Sequence, residues 1–113
     1  MTAPPPPGGL RLEHRAAAPG RLVIALVGDL DYDTAEQLGN EVVTALDTPG
    51  LTALALDCAG LEGCDSMGLA VLLQVRRHTD RAGVRLTLER PPDSLRRLLG
   101  LTGTSAHFGV EPV

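Results

Sequence analysis

The stretch Gly60-Leu-Glu-Gly-Cys-Asp-Ser-Met-Gly68 joins an apolar run to an amphipathic segment. The run before it, Leu51–Asp57, is too short for a helix and predicts a buried strand. The segment after it continues to about Ala82 with apolar residues at helical spacing. Between the two, we interpret the glycine-rich stretch as a turn that ends at Asp65-Ser66, where a helix begins. A strand, a turn and a helix in this order are typical of an α/β domain.

Asp65 and Ser66 occupy the predicted start of that helix. The backbone N–H groups of a first helical turn have no partner within the helix, and they favour negative charge. The hydroxyl of Ser66 is therefore well placed either to cap the helix or to carry a phosphate. The simpler interpretation, that both residues are ordinary N-cap residues, stays open at this point.

Two strands precede this unit. Leu10–His14 predicts a short edge strand, and the turn residues Pro19-Gly20 join it as a hairpin to the next strand. That second strand is Arg21–Val27, which is short, apolar and rich in β-branched residues. We expect Gly28 to end it.

A helix follows the second strand and opens within Asp31–Thr34. Thr34 and Gln37 have the spacing of a capping box, and Asp33 with Glu36 has the same spacing one residue earlier. Thr48-Pro-Gly50 ends the helix. One apolar stripe should face the sheet. The stripe consists of Ala35, Leu38, Val42, Ala45 and Leu46.

The chain after the central helix adds three more elements. Gly83 ends that helix, Val84–Leu88 alternates as a strand, and Asp93–Leu99 forms a short helix that Gly100 stops. We expect a last short strand at Ala106–Val110. The predicted order ββαβαβαβ is an α/β domain, with a small mixed sheet of about four to five strands and about three helices packed on it. The core between sheet and central helix should contain Leu54, Leu56, Leu69, Leu72 and Leu73.

Length and composition fit one domain, with residues 1–9 as a disordered Pro/Gly tail and residues 10–113 as the domain. The formal charge of −4 argues against nucleic-acid binding. No apolar run approaches the roughly 18 residues of a membrane span, and the N-terminus does not resemble a signal peptide. Cys58 and Cys64 fit reduced thiols of a cytoplasmic protein.

Several catalytic chemistries lack their residues. All ten basic residues are Arg, so the Lys of a response-regulator receiver domain and of a phosphate-binding P-loop is missing. His14, His78 and His107 fall on three different predicted elements, and no His or Cys pair has metal-ligand spacing. A Ser-His-Asp site built on Ser66 is not forbidden, although its surroundings do not match G-x-S-x-G. We expect no enzyme, no metal and no cofactor.

Two motifs together resemble the STAS family of anti-sigma factor antagonists. The first is Asp57-Cys-Ala-Gly-Leu61 followed by Cys64-Asp-Ser-Met-Gly-Leu69, which is similar to the family pattern D-x-S-x-L and then D-S-S/T-G-L. The second is Gly28-Asp-Leu-Asp31 followed by Thr34-Ala-Glu-Gln-Leu38. The resemblance covers roughly residues 10 to 110. The departures are Met67 in place of a second hydroxyl, Ala59 in place of Ser, and Cys64 in place of a larger hydrophobic residue.

The resemblance implies a phosphorylation-controlled binding protein. Members bind an anti-sigma factor that is also a Ser/Thr kinase, and so release a sigma factor; phosphorylation ends the binding and a phosphatase restores it. Here the phosphorylated residue would be Ser66. The alternative within the same family is an unphosphorylated subunit of a membrane transport assembly, and the oligomeric state, monomer or weak homodimer, stays open. The residues assigned to partner binding are Asp29, Asp31, Asp65, Met67 and Gly68.

The aspartates before the first helix have an ordinary interpretation as well. Asp29 and Asp31 are the polar residues expected where a strand ends in a turn. Only the resemblance places Asp31 beside Ser66, on the face that binds the kinase. The sequence by itself does not decide between the two.

Overall fold

The computed structural model describes residues 9–110, which form four strands, three α-helices and a final 3₁₀ turn. The strands are β1 (Leu10–Ala18), β2 (Arg21–Leu30), β3 (Ala53–Cys64) and β4 (Arg85–Glu89). The helices are α1 (Ala35–Ala45), α2 (Ser66–Ala82) and α3 (Asp93–Leu101), and the 3₁₀ turn spans Ser105–Phe108.

The strands form one mixed sheet in the order β1-β2-β3-β4. β1 pairs antiparallel with β2 through the predicted Pro19-Gly20 hairpin, in which Gly20 has a φ of 77°. β2, β3 and β4 are parallel, so a helix must connect each to the next. The α/β fold with a small mixed sheet is confirmed.

The core fills the space between the sheet and the helices. Leu54 and Leu56 of β3 and Leu69 and Leu72 of α2 are buried together, as predicted. Leu73 is only partly buried and packs at the edge of this cluster. α1 contributes four members of its predicted stripe, Ala35, Leu38, Val42 and Ala45, to the same cluster, whereas Leu46 follows the helix and is only partly buried.

β3 is longer than the sequence suggested. The stretch Gly60–Cys64, expected to be a turn, continues the strand to Cys64. Its register against β2 shifts between Ala25 and Val27 and again between Gly28 and Asp29, and each shift leaves one extra β3 residue. The glycines therefore mark bulges in a paired strand, and the predicted turn is wrong.

β2 is also longer than predicted, because it passes through Gly28 and ends at Leu30. Gly28 has a φ of 113°, and a Cβ there would lie 2.2 Å from the carbonyl oxygen of Gly9. This glycine marks a close approach of two backbones inside the sheet, where no other residue fits.

The C-terminal strand predicted at Ala106–Val110 is wrong. Residues 105–108 form the 3₁₀ turn, which Gly109 closes with a φ of 65°. Phe108 and Val110 are nevertheless buried in the core cluster. The alternating apolar residues that predicted a strand are therefore explained by the burial of these two side chains and not by strand pairing.

The predicted N-terminal tail lies outside the described residues except for Gly9, whose carbonyl accepts a hydrogen bond from the Asp29 N–H at 3.0 Å. None of the helices in the described part of the chain is long and apolar enough to cross a membrane.

Candidate functional site

The carboxyl ends of β2 and β3 lie side by side, with Leu30 opposite Cys64. The Leu30 carbonyl also accepts a hydrogen bond from the Asp65 N–H at 3.2 Å. This contact brings the start of α2 next to the loop that follows β2. Ligand and partner sites of α/β proteins commonly lie at this edge of a sheet.

Asp65 is the N-cap residue of α2. Its backbone is extended, and its Oδ1 accepts the Gly68 N–H at 2.9 Å. Its Oδ2 accepts the Tyr32 N–H at 3.3 Å. One carboxylate therefore caps the helix and ties it to the loop between β2 and α1.

Ser66 is the first residue of α2, and it is exposed. Because Asp65 provides the cap, the Ser66 hydroxyl is not needed for it, and within residues 9–110 this hydroxyl makes no hydrogen bond. The N–H groups of Ser66 and Met67 lie in the first turn, where helices bind anions. Of the two roles open in the sequence, Asp65 takes the cap and Ser66 presents a free hydroxyl.

Gly68 allows α2 to approach the end of β2. A Cβ at this position would lie 2.4 Å from the Leu30 carbonyl oxygen and 2.9 Å from the Cys64 Sγ. Any larger residue would push the helix start away from the strand. Gly68 therefore helps to fix the position of Asp65 and Ser66, and its predicted contact with a partner stays a prediction.

The loop between β2 and α1 is held by Asp31 and Thr34. The Asp31 carboxylate accepts the Asp33 N–H at 3.0 Å and the Thr34 hydroxyl at 3.3 Å. The Thr34 hydroxyl also lies 2.8 Å from the Asp29 carbonyl oxygen, which accepts from it. The predicted capping box is wrong, because Thr34 makes no side-chain cap for α1 and the Gln37 amide donates to the Leu10 carbonyl at 3.0 Å.

Asp31 and Asp65 therefore both bind the loop between β2 and α1. Asp31 belongs to this loop and accepts the Asp33 N–H, and Asp65, at the start of α2, accepts the Tyr32 N–H. Asp29 is different. It is the neighbour of two buried residues, Gly28 and Leu30, so strand alternation turns its side chain to the opposite face of the sheet. Its side chain lies beside Gly63, its partner on β3, and its role in partner binding remains a prediction.

A groove of about 580 Å³ runs between α1 and α2 from the site. Met67, a predicted partner-binding residue, lies at its end next to Ser66 and is exposed. The sequence contained no signal for the other exposed apolar residues here: Tyr32 lies in the loop before α1, and Val43 lies on α1 outside its apolar stripe. We call this surface the α1–α2 groove; among its lining residues are Tyr32, Glu36, Asn40, Val43, Met67 and His78.

The two cysteines are free thiols, as predicted. Burial, with a smaller effect of the Asp57 charge, raises the pKa of Cys58 to about 12. Burial beside the Asp65 charge raises the pKa of Cys64 to about 11. Both thiols are therefore protonated at neutral pH and are poor nucleophiles.

A buried carboxylate, Asp57, lies on β3 just before its first bulge. Burial raises the pKa of Asp57, but hydrogen bonds from the Arg90 guanidinium and the Ala59 N–H, together with the Arg90 charge, lower it below its ordinary value. Arg90 binds Asp57 with two nitrogens, and it has a φ of 51°. This pair joins β3, just before its first bulge, to the residue that follows β4.

Residues 9–110 contain no cluster of three or more His, Cys, Asp or Glu side chains that could hold a metal ion. The three histidines lie apart, as the sequence indicated. His14 pairs with Glu41 at 3.1 Å, His78 lines the α1–α2 groove, and His107 lies in the 3₁₀ turn.

Comparisons with known proteins agree on the fold. A family model described as Mlab, STAS domain matches residues 13–108. The anti-sigma F factor antagonist of Lysinibacillus sphaericus is 27% identical over 82 residues, which is 73% of this chain and 70% of that protein.

Solved structures with the same fold include two groups of proteins. An anti-sigma factor antagonist from Mycobacterium paratuberculosis has a TM-score of 0.77 at 22% identity, covering 96% of this chain and 91% of that one. The Bacillus cell fate determinant SpoIIAA in its phosphorylated form has a TM-score of 0.68 at 22% identity, covering 87% and 88%. A sulfate transporter family protein from Wolinella succinogenes has a TM-score of 0.70 at 18% identity, covering 81% and 74%.

Proposed function

Because this chain belongs to the STAS domain family, we propose that it acts as an anti-sigma factor antagonist. In this proposal the protein is a binding switch without enzymatic activity. Its unphosphorylated form binds an anti-sigma factor and thereby releases a sigma factor. The anti-sigma factor is also a kinase that phosphorylates Ser66, and a phosphatase reverses the modification.

The single observation that supports this proposal best is the division of roles at the start of α2. Asp65 caps the helix and leaves the exposed hydroxyl of Ser66 free beside unpaired N–H groups. A phosphate on Ser66 would interact favourably with those groups, so the fold can accept it. The curated relative is itself an anti-sigma F factor antagonist, and SpoIIAA, with the same fold, has been solved in a phosphorylated form.

The switch follows from the charge that phosphorylation adds. A phosphate brings roughly −1.5 to −2 charges to a surface that already carries Asp65 and Glu36. A partner that fits the neutral hydroxyl would have to desolvate this charge or lose contact with it. Phosphorylation should therefore weaken binding without unfolding the protein.

The test is phosphorylation by each purified Ser/Thr kinase of the anti-sigma type from the same organism, with ATP and Mg²⁺. Mass spectrometry should find one phosphate on the wild-type chain and none on Ser66→Ala. The matched control is Ser94→Ala, because Asp93-Ser94 also opens a helix and Ser94 is exposed. Asp93 does not cap α3, so we expect Ser94 to stay unmodified. Equal modification of wild type and Ser66→Ala would overturn the assignment.

The second candidate, a structural subunit of a membrane transport assembly, is favoured by the fold shared with transport proteins such as the Wolinella protein. It predicts no phosphorylation and no affinity for an anti-sigma factor. The same experiment therefore separates the two functions.

A further inference from the structure

The α1–α2 groove contains most of the exposed large hydrophobic side chains of the described chain. Four large hydrophobic side chains in residues 9–110 are exposed, and three of them, Tyr32, Val43 and Met67, line this groove. Tyr32 is 74% exposed, although tyrosine is intermediate in burial among the residue types. The clustering of exposed apolar side chains in one groove favours a contact with another molecule at this place.

The charge around the groove has one sign. Asp33 and Glu36 line it, and Asp65 borders it through the Tyr32 N–H. The chain has ten arginines, yet none of them lines the groove, and His78 is the one basic residue there. An occupant with apolar side chains and flanking Lys or Arg would complement this surface.

The groove is continuous with the candidate site. Met67 follows Ser66 in the first turn of α2, and Gln74 and His78 extend the same wall two to three turns further along the helix. α1 forms the other wall, and it approaches α2 closely at Gly39, where a Cβ would lie 3.4 Å from Val71. A partner centred on Ser66 therefore meets, on one side, a preformed groove lined by both apolar and polar side chains.

We propose that the α1–α2 groove binds an apolar segment of the anti-sigma factor that is flanked by basic residues. The inference rests on the proposed function and names the part of the surface that the partner uses beyond Ser66. The interface then has two parts: one at Ser66, which phosphorylation controls, and one in the groove, which supplies affinity that does not depend on the phosphate.

The first test measures affinity for each purified, full-length anti-sigma factor of the same organism by calorimetry. Val43→Ser should weaken binding about tenfold, the effect of removing a well-buried apolar contact from an interface. Val43 is exposed in the free chain, and Val and Ser have similar helix propensities, so the fold should be unaffected. Leu101→Ser is the matched control, because Leu101 is 80% exposed and lies on α3, away from the groove, and it should change affinity less than about twofold.

A second test uses opposite charges at one position. Asn40 is exposed, lines the groove and lies on α1. With a basic partner, Asn40→Glu should strengthen binding and Asn40→Arg should weaken it, each by about threefold at low salt, and both effects should shrink at high salt. Damage to the fold would move both variants in the same direction.

The outcomes separate the inference from the proposed function. If no anti-sigma factor binds the wild-type chain, the proposed function fails and the inference fails with it. If the wild type binds but Val43→Ser and Leu101→Ser bind equally well, only the groove is excluded. If Val43→Ser instead dissociates a dimer of this chain and leaves anti-sigma affinity unchanged, the occupant is a second copy and the inference is wrong.

Discussion

Gly68 is the residue at which α2 comes closest to β2. Replacing it with Ala would place a Cβ 2.4 Å from the backbone oxygen of Leu30, and a backbone atom cannot move aside as a flexible side chain can. We expect Gly68→Ala to lower the free energy of unfolding by about 1–3 kcal/mol, as other overpacked substitutions do. Urea unfolding measures this directly.

Gly100 provides the control for this substitution. It also lies in a helix, α3, but a Cβ there would meet nothing within 4 Å. Gly100→Ala should therefore stabilise the protein by up to about 1 kcal/mol, because Ala loses less backbone entropy than Gly. Equal effects of the two substitutions would mean that the close approach at Gly68 does not exist.

Asp57 contributes a stability that depends on pH. Its pKa is lowered from 3.8 in the folded protein by Arg90 and the Ala59 N–H, against the opposing effect of burial. A carboxyl group with a lowered pKa stabilises the fold above its unfolded pKa and loses that contribution as the pH falls through its folded value. The advantage of wild type over Asp57→Asn should therefore be full at pH 7 and should shrink progressively below about pH 4.

Thermal unfolding at a series of pH values checks this prediction. Asp47→Asn is the control, because Asp47 is exposed and follows the end of α1, and it should differ little from wild type at pH 7. A constant gap between wild type and Asp57→Asn from pH 7 to pH 2 would contradict the role of the Asp57 charge.

The sequence predicted which residues belong to the site, but it did not show which of them caps the helix and which is free for modification. Asp65 and Ser66 both suit a helix start, and only the hydrogen bond from Gly68 to Asp65 decides which one is the cap. Nothing in the sequence indicated that Arg90 binds Asp57, because the two residues are 33 positions apart in the chain. Contacts of this kind depend on strand order, which local patterns do not contain.

At the scale of elements, α2 contributes residues both to the candidate site and to the hydrophobic core. Leu72 is fully buried in the core cluster, whereas Ser66, on the same helix, is exposed. Leu72→Ala should lower the free energy of unfolding by about 2–5 kcal/mol, since it removes buried methyl groups and leaves a cavity. Chemical denaturation with Leu101→Ala as an exposed control, expected to change stability by less than about 0.5 kcal/mol, measures the difference. A loss at Leu72 no larger than at Leu101 would mean that α2 faces the other way.

The bounds of α2 were predictable, whereas those of β3 were not. Asp65 and Gly83 are strong local signals, and Gly83 takes the left-handed conformation with a φ of 70°. Gly60 and Gly63 look like turn residues, yet β2 offers them hydrogen-bond partners and keeps them in the strand. The predicted last strand at Ala106–Val110 is wrong because no strand within residues 9–110 pairs with it. The Val110 N–H instead donates to the Ser105 carbonyl at 3.1 Å within a local turn.

At the scale of the molecule, function depends on surfaces that several elements build together. The alternation of strands and helices indicated the fold, and the parallel pairing of β2 with β3 explains why Asp31 and Asp65 meet at one edge. The α1–α2 groove has no sequence signature, because Tyr32, Val43 and Met67 become neighbours only when the two helices pack together. Apolar residues outside a periodic stripe are therefore worth placing on the fold before they are dismissed as solvent-exposed.

The proposed switch makes a prediction for the whole protein. Ser66→Asp should weaken binding to the anti-sigma factor while leaving the melting temperature almost unchanged, because helix N-termini favour negative charge. Effective release needs roughly a hundredfold loss of affinity, which is about 2.7 kcal/mol. Repulsion between exposed charges supplies about 1 kcal/mol or less. The remainder must come from desolvating the charge under the partner, which requires Ser66 to lie inside the interface.

Calorimetry on Ser66→Asp at two salt concentrations distinguishes these contributions. Salt screens exposed charges over about 10 Å at 0.1 M but leaves the desolvation of a buried charge nearly unchanged. A loss of affinity that persists at high salt therefore places Ser66 inside the interface, and a loss that disappears places it at the rim. Because Asp carries less charge than phosphate, protein phosphorylated on Ser66 should show the larger loss. Unchanged affinity for that phosphorylated protein at both salt concentrations would rule out the switch, while leaving the fold and the family of the chain untouched.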